Sequence, residues 1–145
     1  STEYRNVARF KEVTTRPDIL VMRYDSQLYF ANTNHFVDTV KKAVEKQQSS
    51  IKLLVLDCGS ISYIDATALQ AFQELVGDLK KQGIDVYLSE VIGPVRDFLR
   101  QAGFMKHIGA THFFLDIQSG IDYFDRVDKN RKEDRLSYAT QTGTL

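Results

Sequence analysis

The sequence predicts an α/β sandwich: a largely parallel sheet with helices packed on it and a hairpin at its N-terminal end. Three observations carry this expectation. From residue 36 onward, apolar residues alternate between helical spacing and short strand-like runs. The stretch at residues 51–56, IKLLVL, is almost wholly apolar, as in a central strand covered on both faces. Gly83 and Gly103 stand where two of the helical patterns stop.

Taken in order, residues 19–24 (ILVMRY) form an apolar run after Pro17-Asp18 and read as a strand leaving a turn. Asp25-Ser26 is a tight-turn candidate, and residues 27–30 read as the strand returning from it. Residues 9–13 read as an additional edge strand. Phe36, Val37, Val40, Ala43 and Val44 then fall on one helical face, with Asn32, Thr33 or Asn34 available to cap it. After the central strand, Ala66, Leu69, Phe72, Leu75, Val76 and Leu79 mark a long second helix closed by Gly83. Residues 84–88 alternate as a strand, and Val95, Phe98, Leu99 and Ala102 mark a short helix ending at Gly103. Residues 111–115 read as the last strand, with Ile121, Phe124 and Val127 on the last helix. From Lys129 the apolar stripe is lost. Residues 131–145 are expected to be a polar tail, disordered over 136–145.

The chain has 145 residues, the length of one domain, with 43% hydrophobic and 26% charged residues. Lys plus Arg and Asp plus Glu each total 19, so there is no basic excess to displace counterions from nucleic acid. Cys58 is the single cysteine, which excludes an intramolecular disulfide and a thiolate zinc cage and fits a reducing compartment. No apolar run is long enough to span a bilayer, and the first twenty residues lack the pattern of a signal peptide.

Catalytic patterns are sparse. His35, His107 and His112 share no metal-ligand spacing, so no metal site is expected, and ordinary surface or packing roles account for them. Cys58 lacks a histidine placed to activate it and reads as structural. Neither GxGxxG nor GxxxxGK[ST] occurs, and no nucleophile–base pair can be assembled, so no enzyme activity or cofactor is expected. The charged run at residues 122–135 reads as the solvated face of the last helix, with too little net charge to attract lipid head groups.

The informative stretch is SYIDATAL, residues 62–69. Asp65 is the natural N-cap of the second helix, and Ala66, Thr67 and Ala68 are small enough for another surface to approach. The plain reading is a well-capped helix packed on its sheet. The functional one is an exposed, amide-rich turn that receives a partner protein, a phosphate group or a nucleotide.

At these residues the chain resembles a family. Residues 57–69, followed by a long amphipathic helix, resemble the loop of the STAS domain, shared by anti-sigma-factor antagonists and SulP anion transporters. Leu28-Tyr29-Phe30-Ala31-Asn32 resembles the LYFAN motif of the transporter branch, Tyr4-Arg5-Asn6-Val7 the segment leaving its last membrane helix, and residues 91–104 its VxxFLxxAGF spacing. The resemblance runs over residues 4–127. It implies a SpoIIAA-like fold over residues 9–130, a linker from the membrane domain at residues 1–8, and a place on the cytoplasmic side of the membrane. It also implies a regulatory role beneath a transporter of sulfate, bicarbonate or a related anion. Partner or ligand contacts are then expected at Gly59, Ser60, Asp65, Ala66, Thr67 and Ala68. The partners would be the membrane domain of the same protein, a cytosolic protein or a weakly held nucleotide, with a homodimer also open.

One departure bears on the alternatives. Anti-sigma-factor antagonists carry a phosphorylatable serine directly after the loop aspartate, and here that position is Ala66. Thr67 carries a hydroxyl but points about 100° away in a helical first turn, so it does not simply stand in. Were Thr67 phosphorylated, the helix dipole would favour the new charge and Asp65 would oppose it. Tyr29 and Phe30 read more simply as strand residues facing the core than as a docking patch.

Overall fold

A computed structural model describes residues 10–12, 16–47, 50–109 and 112–142. Residues 1–9, which include the linker and the YRNV segment, lie outside the described residues, as does Thr111. Among the described residues, five strands form one sheet in the order β1-β2-β3-β4-β5. They are β1 (Phe10–Glu12), β2 (Ile19–Tyr24), β3 (Leu53–Asp57), β4 (Asp85–Ser89) and β5 (Phe113–Phe114). β1 runs antiparallel to β2, with Phe10 opposite Tyr24, and every other pairing is parallel. The helices are α1 (Thr33–Lys46), α2 (Ala66–Lys81), α3 (Gly93–Gln101), α4 (Met105–Ile108) and α5 (Ile117–Thr142).

Strand alternation splits the core. Leu20, Met22, Leu54, Leu56, Val86 and Leu88 point to one face, where they pack with Phe36, Leu69, Phe72, Leu99 and Ile108 from the first four helices and with Phe104 just before α4. Ile19, Val21, Leu53, Val55 and Tyr87 point to the other, where Phe124 and its neighbours on α5 cover them. All five residues of β3 are buried, as its apolar run requires. Gly83 adopts φ +80, and Ile84 N–H donates to the Leu79 carbonyl, so the chain turns out of α2 through a left-handed residue that glycine fills without strain. Gly103 has φ +78 and ends α3 in the same way.

Three sequence-based expectations are corrected. The hairpin is β1–β2, and residues 27–30 are not its returning strand. Leu28 instead makes a single parallel bridge to Ile64, because the side chains of Asn32 and Thr33 claim the neighbouring backbone groups. That use of Asn32 also means that no side chain caps α1. Second, the segment expected as a polar, disordered tail continues α5 to Thr142, so the boundary placed at residue 130 falls inside a helix. Ion pairs at helical spacing, Lys132 to Asp128 at 3.1 Å and Lys129 to Glu133 at 4.0 Å, support it where apolar contacts run out. Third, Phe30 does not face the core: it is 72% exposed. α4 has no counterpart in the sequence reading.

Candidate functional site

The LYFAN segment and the Asp65 turn are one structure. Leu28 is buried, and its N–H donates to the Tyr63 carbonyl at 3.1 Å while its own carbonyl accepts from Asp65 N–H at 3.1 Å. Gln27 extends this seam, its Oε1 accepting from the amides of Ser62 and Tyr63, each at 2.8 Å. Asn32 is buried and folds the segment back on itself, with Oδ1 accepting from Tyr29 N–H and Nδ2 donating to the Gln27 carbonyl. Buried polar groups need such partners, which explains why asparagine sits there.

Asp65 joins the two halves. Its Oδ1 accepts from Ala68 N–H at 2.8 Å, capping α2, and its Oδ2 accepts from Phe30 N–H at 2.9 Å. The carboxylate therefore fixes the helix start and holds Phe30 beside it. The amides of Ala66 and Thr67 make no hydrogen bond among the described residues, as the first turn of a helix leaves them.

Phe30 stands out from this edge, Tyr63 is 57% exposed, and Ala66 and Thr67 are exposed beside them. A shallow groove of about 360 Å³ opens here, lined by Tyr63, Asp65 and Ala66 from the loop and by Pro94 and Phe98 from α3. Its walls are mostly apolar, and no lysine or arginine lines it among the described residues. The surface suits an apolar or small-residue partner segment better than a polyanion.

The expected site residues separate. Asp65 and Ala66 line the groove and Thr67 is exposed next to them in sequence, but Ala68 is turned into the core at 1% exposure, because the third residue after the cap faces the sheet. Gly59 and Ser60 lie apart from it, near the ends of β2 and β4. Gly59 N–H donates to Asp57 Oδ1 at 2.9 Å, and Ser60 Oγ donates to Asp25 Oδ1 at 3.0 Å. Arg23 clamps Asp25 at 2.7 Å and holds its carboxyl below the ordinary range. Cys58 is buried and free, and burial pushes its thiol far up, so it is not a reactive thiolate. No group of three or more metal-ligating side chains converges among the described residues.

The sequence reading missed Tyr63, Pro94 and Phe98 as lining residues and set Phe30 in the core. Phe30 carried a readable signal, because Asn32 two residues on is a turn former that argues against strand alternation. A larger groove of about 570 Å³ opens between Lys52, Asp85 and the second half of α5, where Arg131 and Arg135 face Asp128 and Asp134. Its three bases and three acids balance, so it selects no ligand charge.

The STAS domain profile matches residues 10–120. The "Probable sulfate transporter Rv1739c" of Mycobacterium tuberculosis is 31% identical over 110 residues, covering 76% of this chain and 20% of the relative. The chain spans about a fifth of the length of the curated relatives it matches. Among solved structures, the murine Solute Carrier 26 family member A9 anion transporter superposes with a TM-score of 0.73 at 18% identity, over 84% of this chain and 23% of its own. SpoIIAA of Bacillus, an anti-sigma factor antagonist, superposes with a TM-score of 0.59 at 11% identity, over 80% of this chain and 99% of its own. Both likenesses speak to the fold.

Proposed function

The chain belongs to the STAS domain family, and on that premise we propose that it is the regulatory, protein-interaction domain of a longer SulP-like anion transporter. In this reading it sits on the cytoplasmic side of the membrane and carries no permeation path. No helix among the described residues is long and apolar enough to cross a membrane. The partner is the membrane domain of the same protein, and sulfate, bicarbonate or a related anion is the cargo of the whole.

The observation that carries the reading is the exposed Phe30, whose backbone is held by Asp65, a residue that itself lines an apolar groove. A large exposed aromatic fixed by a carboxylate that also caps a helix is a preformed anchor, costing little order on binding. Phe30 belongs to the LYFAN segment, the stretch that resembles the transporter branch.

The test uses the full-length parent protein with a photo-crosslinking residue at position 30. Adducts to another segment of the same polypeptide are expected, with sulfate uptake reduced in Phe30→Ser at unchanged surface abundance. Adducts no different from those of a crosslinker at Leu136, together with unchanged uptake, would overturn the reading.

A second reading rests on the fold likeness to SpoIIAA and on Thr67, whose side chain is exposed beside the cap. In it the domain answers to a kinase, and phosphopeptide mapping of protein recovered from cells would find Thr67 modified. Ala66 in place of a serine weighs against it. Weak nucleotide binding at the free amides of Ala66 and Thr67 is checked by calorimetric titration with GTP and ATP, where a flat trace at millimolar ligand removes it.

A further inference from the structure

β5 is an edge of the sheet, and among the described residues that edge is open. Glu90 N–H donates to the Phe114 carbonyl at 3.1 Å, so the backbone polar groups of Phe114 face β4. Those of Phe113, one residue earlier on the strand, face away from the sheet, and no described strand pairs with them there. Exposed edges are usually blunted by charge or by cover. β1, at the opposite edge, carries Lys11 and Glu12, both exposed. β5 and the residue after it read Phe113-Phe114-Leu115, without a charge, and Leu115 is 83% exposed.

The edge is pinned from several directions. Glu90 holds its bond to Phe114 from φ +60, a left-handed conformation that a non-glycine residue adopts only where its surroundings impose it. Phe114 lies against Gly120 of α5, where an added Cβ would come within 3.3 Å of its ring. Phe113 meets Phe104 edge-on, with ring centroids 6.5 Å apart.

Arg96 of α3 brings a charge to this edge. Its guanidinium lies over the Phe113 ring, 6.0 Å from the centroid. It has no ion pair among the described residues, whereas Arg100, one turn further along α3, lies 3.8 Å from Asp97. Its Nε is buried with no hydrogen-bond partner among the described residues. A buried donor left unmet costs free energy, and a guanidinium seated on an aromatic ring is well shaped to receive a carboxylate. Pro94 and Phe98 turn to the Asp65 groove, and Arg96, two residues from each, lies on the opposite side of the helix.

We propose that the open edge of β5 takes up an extended segment of a partner protein as an added strand, with an acidic side chain of that segment paired to Arg96 and an apolar one covering Leu115. Backbone bonds to Phe113 set the segment's register. A side chain directly across from Phe113 stands about 5 Å from it, Cβ to Cβ, and so beside the guanidinium seated on that ring. Charge complementarity selects the occupant. An acidic residue supplies the acceptor that Arg96 lacks, and a basic or wholly apolar segment leaves it unmet. The inference stands apart from the transporter reading, since it uses neither Phe30 nor the groove.

The test is an NMR titration of the isotope-labelled 145-residue chain with a blocked synthetic peptide that alternates valine and glutamate. The amides of Phe113 and Leu115 and the Arg96 Nε–H signal are expected to shift together. The glutamate peptide should bind at least about fivefold more tightly than its glutamine counterpart, and the ratio should fall to about one in Arg96→Gln. The same peptide N-methylated along its backbone should not bind, because it cannot donate to the Phe113 carbonyl. Equal binding of the two peptides by the parent chain, a ratio that survives in Arg96→Gln, or no shift at Phe113 at millimolar peptide overturns the proposal. So do shifts confined to Tyr63 and Phe98, which would place the peptide in the groove instead. Acetate at equal concentration reproducing the full Arg96 shift also overturns it, by assigning a site for free anions.

Discussion

Replacing Asp65 with alanine removes both hydrogen bonds that its carboxylate accepts, the α2 cap at Ala68 and the tie to Phe30. Loss of an N-cap side chain costs about 1 kcal/mol. A hydrogen bond to a charged acceptor is worth about 1.5–3 kcal/mol, but the exposed Phe30 amide regains water, so about 1 kcal/mol is the appropriate share. The sum is about 2 kcal/mol. With a urea m-value of about 2 kcal/mol/M for a chain of this size, the unfolding midpoint falls by about 1 M with m unchanged. Asp65→Asn keeps one oxygen and remains a good cap, so it should lose only the Phe30 tie, about 1 kcal/mol, and about half the midpoint shift. Hydrogen exchange at the Phe30 amide should speed up in both variants. An alanine variant within about 0.5 kcal/mol of the parent, or an asparagine variant no better than alanine, would refute the idea that one carboxylate joins the two segments.

Other perturbations separate anchoring from folding. Phe30→Ser should leave the urea midpoint nearly unchanged, within about 0.5 kcal/mol, because the ring is exposed. Phe124→Ala removes the buried anchor of α5 and should cost about 3–5 kcal/mol in the same assay. Arg16 holds Asp18 at 3.0 Å and Asp125 at 2.9 Å, tying the start of β2 to α5. These groups are partly solvated, so Arg16→Ala should cost at most about 1 kcal/mol, and less at molar salt. Burial raises the Tyr87 phenol from 10.0 to about 12, so the fold holds its proton more tightly than the unfolded chain does. Stability from this group is complete below pH 10.0 and is lost as pH climbs toward about 12. Ultraviolet titration of tyrosinate should show a late component that shrinks in Tyr87→Phe, with buried Tyr24, also raised by burial, supplying the rest.

The alternation of strands and helices was legible because each element carries its own period. The all-apolar run at 51–56 could serve only as a covered strand, and Gly83 and Gly103 mark real left-handed turns. Asp65 was legible as a cap because its position before Ala66 is a local rule. Its second partner was not, because Phe30 is 35 residues away and nothing local reports that pairing. Residues 27–30 looked like a strand because Leu28 and Phe30 alternate with polar and aromatic neighbours, yet the tertiary bonds of Gln27 and Asn32 override that local preference. The second half of α5 was misread for the opposite reason. It has no apolar stripe, and its helix rests on ion pairs and good helix formers that a search for buried faces passes over.

Among the described residues, α5 alone roofs one side of the sheet. The match to the family profile ends at residue 120, before Phe124, the residue that closes that roof. A version trimmed to the matched stretch would leave Ile19, Val21, Leu53, Val55 and Tyr87 facing water, a sticky plane that invites self-association. Borders for an excised piece are therefore better drawn from where the apolar layer is sealed than from where a profile match ends.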